Sequence, residues 1–310
     1  MRIIYLGTPE FAVPSLDILY NAGYDIVGVI TSVDKYGGRG RKVLIESAVK
    51  KYAISKNLNI LQPKNLKSPQ FIEELLALKA DLQIVVAFRM LPILVWDMPP
   101  MGTYNLHGSL LPKYRGAAPI NWAIMKGESE TGVTSFKLKH EIDTGSILLQ
   151  ERVKVYDDDN ATAVHNRMMY IAADVIYRSV KAIESGTVEL TEQSDNQATH
   201  APKLNKENTK IDFNRSVKQV YNFIRGLSVY PCAWFKIDGK LTKVYSSSID
   251  EDTSTTEPGT IVSDNKSYLK VACKDGYIRL NEIQMSGKSK MKIKDFLNGY
   301  NIESIDDSAI

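Results

Sequence analysis

The chain has 310 residues, 44% of them hydrophobic and 24% charged, the proportions of an ordinary folded protein with room for about two domains. Its 39 basic residues against 36 acidic ones give a net charge of +3, so bulk electrostatics do not announce a nucleic-acid binder, and any polyanion would have to be gripped by local patches. Cys232 and Cys273 lie far apart without metal-ligand spacing, which predicts buried reduced thiols and no metal site. Met1 to Leu6 is too short, and too soon broken by Gly7, to be a signal peptide. No apolar run approaches transmembrane length, so no membrane partner is expected and a cytoplasmic location is the default.

Arg2 to Leu6 reads as a buried first strand, ended by Gly7-Thr-Pro9 and followed by a helix from Phe11 to Asn21. The three-glycine pattern of a dinucleotide loop is absent, so this turn is scaffold. Asp25 to Ile30 is a second strand, Ile45 to Lys56 a helix, Phe71 to Lys79 another, and Leu82 to Ala87 a central strand, apolar at all but Gln83. Strands alternating with helices predict an α/β domain built on a doubly wound, mostly parallel sheet. Between the second strand and its helix, Asp34 to Lys42 holds three glycines with Lys35, Arg39, Arg41 and Lys42. Taken alone it is a solvated basic loop; mobile Arg side chains able to wrap phosphates are the alternative.

The chemistry-bearing stretch follows. A short strand from Gly102 to Leu106 breaks at Gly108 into a loop. Side chains two apart on a strand share a face, so Asn105 and His107 project together at its end, where open α/β sheets build their sites. An amide donor beside an imidazole suits a carbonyl oxygen that is gaining charge. Glu141 to Ser146 adds Asp143 on a tight, Gly-marked turn. Singly, Asn-x-His can be a satisfied polar pair and Asp-Thr-Gly an ordinary turn. An aspartic protease would want two such turns, and the chain has one. Together, Asn, His and Asp suggest acyl or formyl transfer without a covalent protein nucleophile.

Ile120 to Lys126 reads as a helix, Val133 to Leu138 and Ile147 to Val155 as strands, the last extending the sheet antiparallel. Ala161 to Ser185 is a long helix with apolar residues at helical spacing. His140 and His165 fall outside the motifs and read as loop and structural histidines. Polar residues dominate from 189 to 208, which predicts a linker. Arg215 to Leu227 is a helix, followed by short strands at Ala233–Ile237, Thr242–Ser246, Gly259–Val262, Tyr268–Ala272 and Tyr277–Ile283. That succession predicts a small OB-like β-barrel. The expected domains are 1–188, a linker 189–208, and 209–310.

The motif Asn105-Leu-His107-Gly-Ser109-Leu-Leu-Pro112-Lys-Tyr-Arg115-Gly116, followed by Ile142-Asp143-Thr-Gly145, resembles the folate-dependent formyltransferases. The resemblance implies a Rossmann-like catalytic domain, 10-formyltetrahydrofolate as formyl donor, and Asn105, His107 and Asp143 as catalytic residues. It also implies that Ser109, Leu110, Leu111 and Pro112 form part of the folate wall. The chain departs from the family at Phe88-Arg89, where Tyr-Gly is more usual, so no side-chain role in the pterin pocket carries over there. The loop around Arg39 and Arg41, and the segment Ala201 to Phe213, are similar to those of methionyl-tRNA formyltransferases. That similarity implies initiator methionyl-tRNA as acceptor, gripped by Arg39, Arg41 and Lys42; a monomer is expected. The competing readings are a sugar-nucleotide or glycinamide ribonucleotide formyltransferase, and a catalytically idle RNA-binding module.

Overall fold

The computed structural model describes residues 1–302 apart from 38, 39, 41 and 255. It comprises two compact units, one of residues 1–116, 131–153 and 165–200, the other of 117–130, 154–164 and 201 onward.

The first unit is built on strands β1 (Arg2–Gly7), β2 (Asp25–Ile30), β3 (Ile60–Leu61), β4 (Leu82–Val86), β5 (Thr103–His107), β6 (Glu130–Lys137) and β7 (Ile147–Lys154). They form one sheet in the order β7-β6-β5-β4-β1-β2-β3. The strands from β1 to β5 pair in parallel, whereas β6 lies antiparallel on β5. Ile3, Ile4, Tyr5 and Leu6 are all but inaccessible because helices cover both faces of a central strand, which explains their uninterrupted apolar run. The chain leaves β1 outward through β2 and β3, then returns to β4 on the other side of β1. The carboxyl ends at that reversal are where such sheets open a crevice. A Cβ on Gly7, at this end of β1, would sit 2.8 Å from Ala12 Cβ and 3.2 Å from the Val86 carbonyl. Gly7 therefore serves close packing, as a scaffold turn should.

Helix α1 (Val13–Asn21), α2 (Ala48–Ser55), α3 (Pro69–Ala77) and the long Ala161–Ser185 agree with the periodicity to within a few residues. One boundary moved for a physical reason. Residues Val43–Ile45 pair with Lys35–Gly37 as a small antiparallel ribbon, so α2 starts only at Ala48, capped by Ser47, whose hydroxyl accepts the Lys50 N–H at 3.0 Å. The two ends of the basic loop thus pair with each other, and Tyr36, Val43, Leu44 and Ile45 on them are largely exposed.

In the second unit, Ser216 and Gln219 form a reciprocal capping box on the helix Val217–Leu227. Strands β8 (Ala233–Ile237), β9 (Lys240–Ile249), β10 (Ile261–Ser263), β11 (Leu269–Ala272), β12 (Tyr277–Met285) and β13 (Met291–Lys292) pair as an antiparallel sheet. The order is β8-β9-β12-β11-β10, with β13 on β12. Irregular register between Val244 and Ser247 bends β9, and the sheet curls into a half-barrel. The OB-like expectation is met. A short helix, Ile293–Leu297, closes one side through the buried Phe296 and was too short to show in the periodicity. Cys232 and Cys273 are free and buried as expected, and burial pushes the Cys273 thiol up to about 12.

The helix Pro119–Met125 belongs to this second unit, although it precedes β6 in sequence. Its Met125 joins the core of Val220, Ile224, Phe235 and Phe296. The two helices touch at Gly226, where a Cβ would come 2.7 Å from Met125 Cγ and 2.9 Å from Met125 N. Gly226→Val should therefore force the helices apart and cost about 1–3 kcal/mol. A thermal melt unchanged from wild type would show that this crossing can open freely.

Candidate active site

The register of β5 sets Asn105 opposite Phe136 and His107 opposite Thr134 on β6. The two side chains share a face at the carboxyl end of the strand, as their spacing requires. His107 is buried, and its Nε2 lies 2.8 Å from the Tyr114 carbonyl. A carbonyl can only accept, so Nε2 carries the hydrogen and Nδ1 is the nitrogen left over. Nδ1 faces Asp143 Oδ2 at 3.7 Å, too long for a hydrogen bond. Asn105 is half-buried, and its amide has no hydrogen-bond partner among the described residues.

Asp143 sits on a backbone twist at φ 56°, a left-handed conformation that Asp tolerates better than most side chains. Its Oδ2 accepts the Gly116 N–H at 2.9 Å. Two residues on, a Cβ at Gly145 would fall 1.8 Å from the Lys137 carbonyl, so the turn admits no side chain there. Gly145→Ala is expected to displace Asp143 and lower activity by about a hundredfold, since ångström misplacements of reacting groups cost on that order. Wild-type turnover in that variant would mean that the position of Asp143 does not matter.

Of the four residues expected in the folate wall, Ser109 and Leu111 are buried while Leu110 and Pro112 keep accessible surface. The Ser109 hydroxyl is spent on the Lys113 carbonyl at 2.6 Å, and Gln150 Nε2 donates to the Leu111 carbonyl at 2.9 Å. These bonds brace the stretch, and Leu110 and Pro112 are its part-exposed apolar residues. At the departure from the family pattern, Ala87 takes a left-handed backbone and the Arg89 guanidinium turns to the Pro63 and Lys64 carbonyls. Lys42 is exposed; Arg39 and Arg41 lie outside the described residues. A cavity of about 600 Å³ in the second unit, lined by Trp122, Met125, Lys210, Phe213 and Phe223 among others, holds none of the candidate residues.

The sequence reading missed Gln193. Its Oε1 accepts Arg115 Nε at 3.0 Å and Nη2 at 2.8 Å, and its Nε2 donates to the Asp143 and Gly145 carbonyls, both at 2.8 Å. Lying in a polar, aperiodic segment, it looked like solvated linker. No local pattern marks it.

Among the described residues, no helix is long and apolar enough to cross a membrane. Comparison with known proteins gives the family. Residues 1–180 match the formyl transferase family model, and residues 203–301 match that of the formyl transferase C-terminal domain. The methionyl-tRNA formyltransferase of Phocaeicola vulgatus is 51% identical over 310 residues, covering 97% of this chain and 96% of that protein. That of Parabacteroides distasonis is 49% identical with the same coverage. Among solved structures, the sugar 3N-formyl transferase WlaRD aligns with a TM-score of 0.68 at 19% identity, covering 93% of this chain and 99% of that one. HypX from Aquifex aeolicus, solved with tetrahydrofolic acid, aligns at 0.64 and 19% identity over 96% of this chain, which spans only 48% of HypX. The methionyl-tRNA formyltransferase from Clostridium thermocellum aligns at 0.57 and 16% identity, covering 87% and 98%. At such identities the solved structures speak for the fold alone. Both family models in chain order, with relatives at half identity along nearly the whole length, place this protein in the formyltransferase family.

Proposed function

We propose that the chain transfers the formyl group of 10-formyltetrahydrofolate to the α-amine of initiator methionyl-tRNA. The carrying observation is the state of the two strand-end side chains. His107 has spent Nε2 on the Tyr114 carbonyl and turns Nδ1 toward Asp143, while the Asn105 amide beside it has no partner. The methionyl-tRNA acceptor is supported by relatives of that name at 49–51% identity over nearly the whole chain. The part-exposed Leu110 and Pro112 next to the strand end offer apolar contact for the face of a folate ring.

In this reading the neutral α-amine attacks the formyl carbon, and the carbonyl oxygen becomes a tetrahedral oxyanion. Asn105 donates an N–H to that oxygen. Protonated His107 donates from Nδ1, its only uncommitted nitrogen, so the same N–H serves the oxyanion while the Asp143 carboxylate stabilises the cation. The attacking nitrogen gives up its proton to Asp143, directly or through water. Collapse of the intermediate expels N10 of the folate, which leaves as an amine after protonation. No covalent enzyme intermediate is required. Arg39, Arg41 and Lys42 grip phosphates near the acceptor end, and the second domain takes a share of the tRNA backbone.

The test is an acceptor panel. The protein and 10-formyltetrahydrofolate are offered methionyl-tRNA, glycinamide ribonucleotide or an amino-sugar nucleotide, and the product is identified by mass. Formylation of methionyl-tRNA alone is expected. Formyl product on the sugar nucleotide or glycinamide ribonucleotide, with none on tRNA, would replace this reading.

A further inference from the structure

We infer that Gln193 is a positioning residue that holds the Asp143 carboxylate against His107. The inference rests on the role given to Asp143 above. A primary amide has two acceptor lone pairs and two N–H donors. In Gln193 all four are used: two toward the Arg115 guanidinium and one each toward the Asp143 and Gly145 carbonyls. One side-chain nitrogen thus pins the main chain on both sides of Thr144, in a turn whose first residue is left-handed and whose last has no room for a Cβ. The neighbouring residue reinforces the clamp. Glu192 accepts the Ser146 hydroxyl at 2.8 Å and the Lys139 ammonium at 2.6 Å, both flanking the same turn.

The other end of the clamp explains its purpose. Tyr114, Arg115 and Gly116 are consecutive, and each holds one part of the site. The Tyr114 carbonyl takes His107 Nε2, the Gly116 N–H takes Asp143 Oδ2, and the Arg115 side chain takes Gln193. Arg115 is itself buried, and its guanidinium also reaches Asp195 at 2.9 Å. The segment is tied down again through Thr199, which accepts the Tyr114 N–H on its hydroxyl and the Arg115 N–H on its carbonyl. His107 and Asp143 come from different loops. They acquire a fixed separation because both hang from residues 114–116, and Gln193 closes the ring by tying the Asp143 main chain to Arg115. Without it, the Asp143 carboxylate still accepts the Gly116 N–H, but the turn loses both bonds from Gln193, to the Asp143 and Gly145 carbonyls.

Two substitutions separate positioning from mere bracing. Gln193→Ala removes both sides of the bridge. Gln193→Glu keeps, and by charge strengthens, the bond to Arg115, but turns an acceptor-only group onto two carbonyl oxygens. If Gln193 served only to satisfy Arg115, the Glu variant would be close to wild type. If it positions Asp143, both variants should lower kcat by about ten- to a hundredfold, with the KM for the formyl donor moving less than about threefold. In an Asp143→Asn background the Ala substitution should then cost less than about threefold more, because residues acting through one group are not additive. Thermal melts and formyl-donor binding are measured alongside. A wild-type kcat in Gln193→Ala, a Glu variant that works normally, or full additivity with Asp143→Asn would each overturn the inference. Wild-type protein that formylates no tRNA would instead remove the functional reading beneath it.

Discussion

His107→Ala and Asn105→Ala are each expected to lower the formyl-transfer rate at saturating substrates by about a hundred- to a thousandfold. In the proposed mechanism, each variant deletes a donor that matters most when the formyl oxygen carries charge. Binding of donor and acceptor should change far less, because an interaction made only in the transition state appears in kcat rather than in ground-state affinity. His107→Ala also removes its 2.8 Å bond to the Tyr114 carbonyl, so some loosening of the 114–116 segment is expected with it. Asn105→Ala breaks no bond to a described residue and is the cleaner of the two. Single-turnover rates, paired with a titration of formyl-donor binding, check both. An Asn105→Ala protein that turns over normally would remove the oxyanion role.

The second large effect concerns the basic loop that begins at Lys35 and ends at Ile45. Replacing Arg39 and Arg41 together with alanine should weaken use of methionyl-tRNA steeply at physiological salt while sparing the folate. Each lost phosphate contact flattens the dependence of log affinity on log salt by about one unit, so the double variant should lose up to about two. Lysine at both positions should recover only part of the loss, since Lys supplies charge without the planar two-pronged contact of Arg. Charge is one part of the loop. Its Tyr36, Val43, Leu44 and Ile45 are largely exposed and offer apolar surface as well. Normal affinity and a normal salt slope in the double alanine variant would reduce the loop to a solvated turn.

Much of the fold was legible because local pattern and burial agree in this chain. Ile3 to Leu6, and Leu82 to Val86 apart from the buried Gln83, are apolar because both faces are covered, and alternation with helices then dictates a parallel sheet. Asn105 and His107 could be placed on one face from a spacing of two alone. What the sequence hid was long-range. The pairing of Lys35–Gly37 with Val43–Ile45 overrode a helical pattern that begins at Ile45. The helix Pro119–Met125 groups with a core otherwise drawn from residues after 200, which no local signal states. Gln193 was invisible for a related reason. A fully bonded amide and a solvated one are the same letter, and only the fold brings Arg115 and the Asp143 turn to it.

The tautomer of His107 was equally out of reach of the sequence. An imidazole held by a carboxylate could have turned either nitrogen to the substrate. The Tyr114 carbonyl decides it by occupying Nε2, and one N–H is left for both Asp143 and the oxyanion. This sharpens the proposed chemistry from three residues near one another to one ring nitrogen, Nδ1.

The central claim, direct transfer from folate to the methionyl amine, is tested most directly by following the formyl carbon. Wild-type protein is mixed with 10-formyltetrahydrofolate labelled in the formyl group and with methionyl-tRNA, quenched in acid over a single turnover, and separated. At every time the label should be found only on the folate or on formyl-methionyl-tRNA, the two fractions summing to the input. A labelled protein fraction that rises and then decays as product forms would contradict direct transfer and require a nucleophile in this chain.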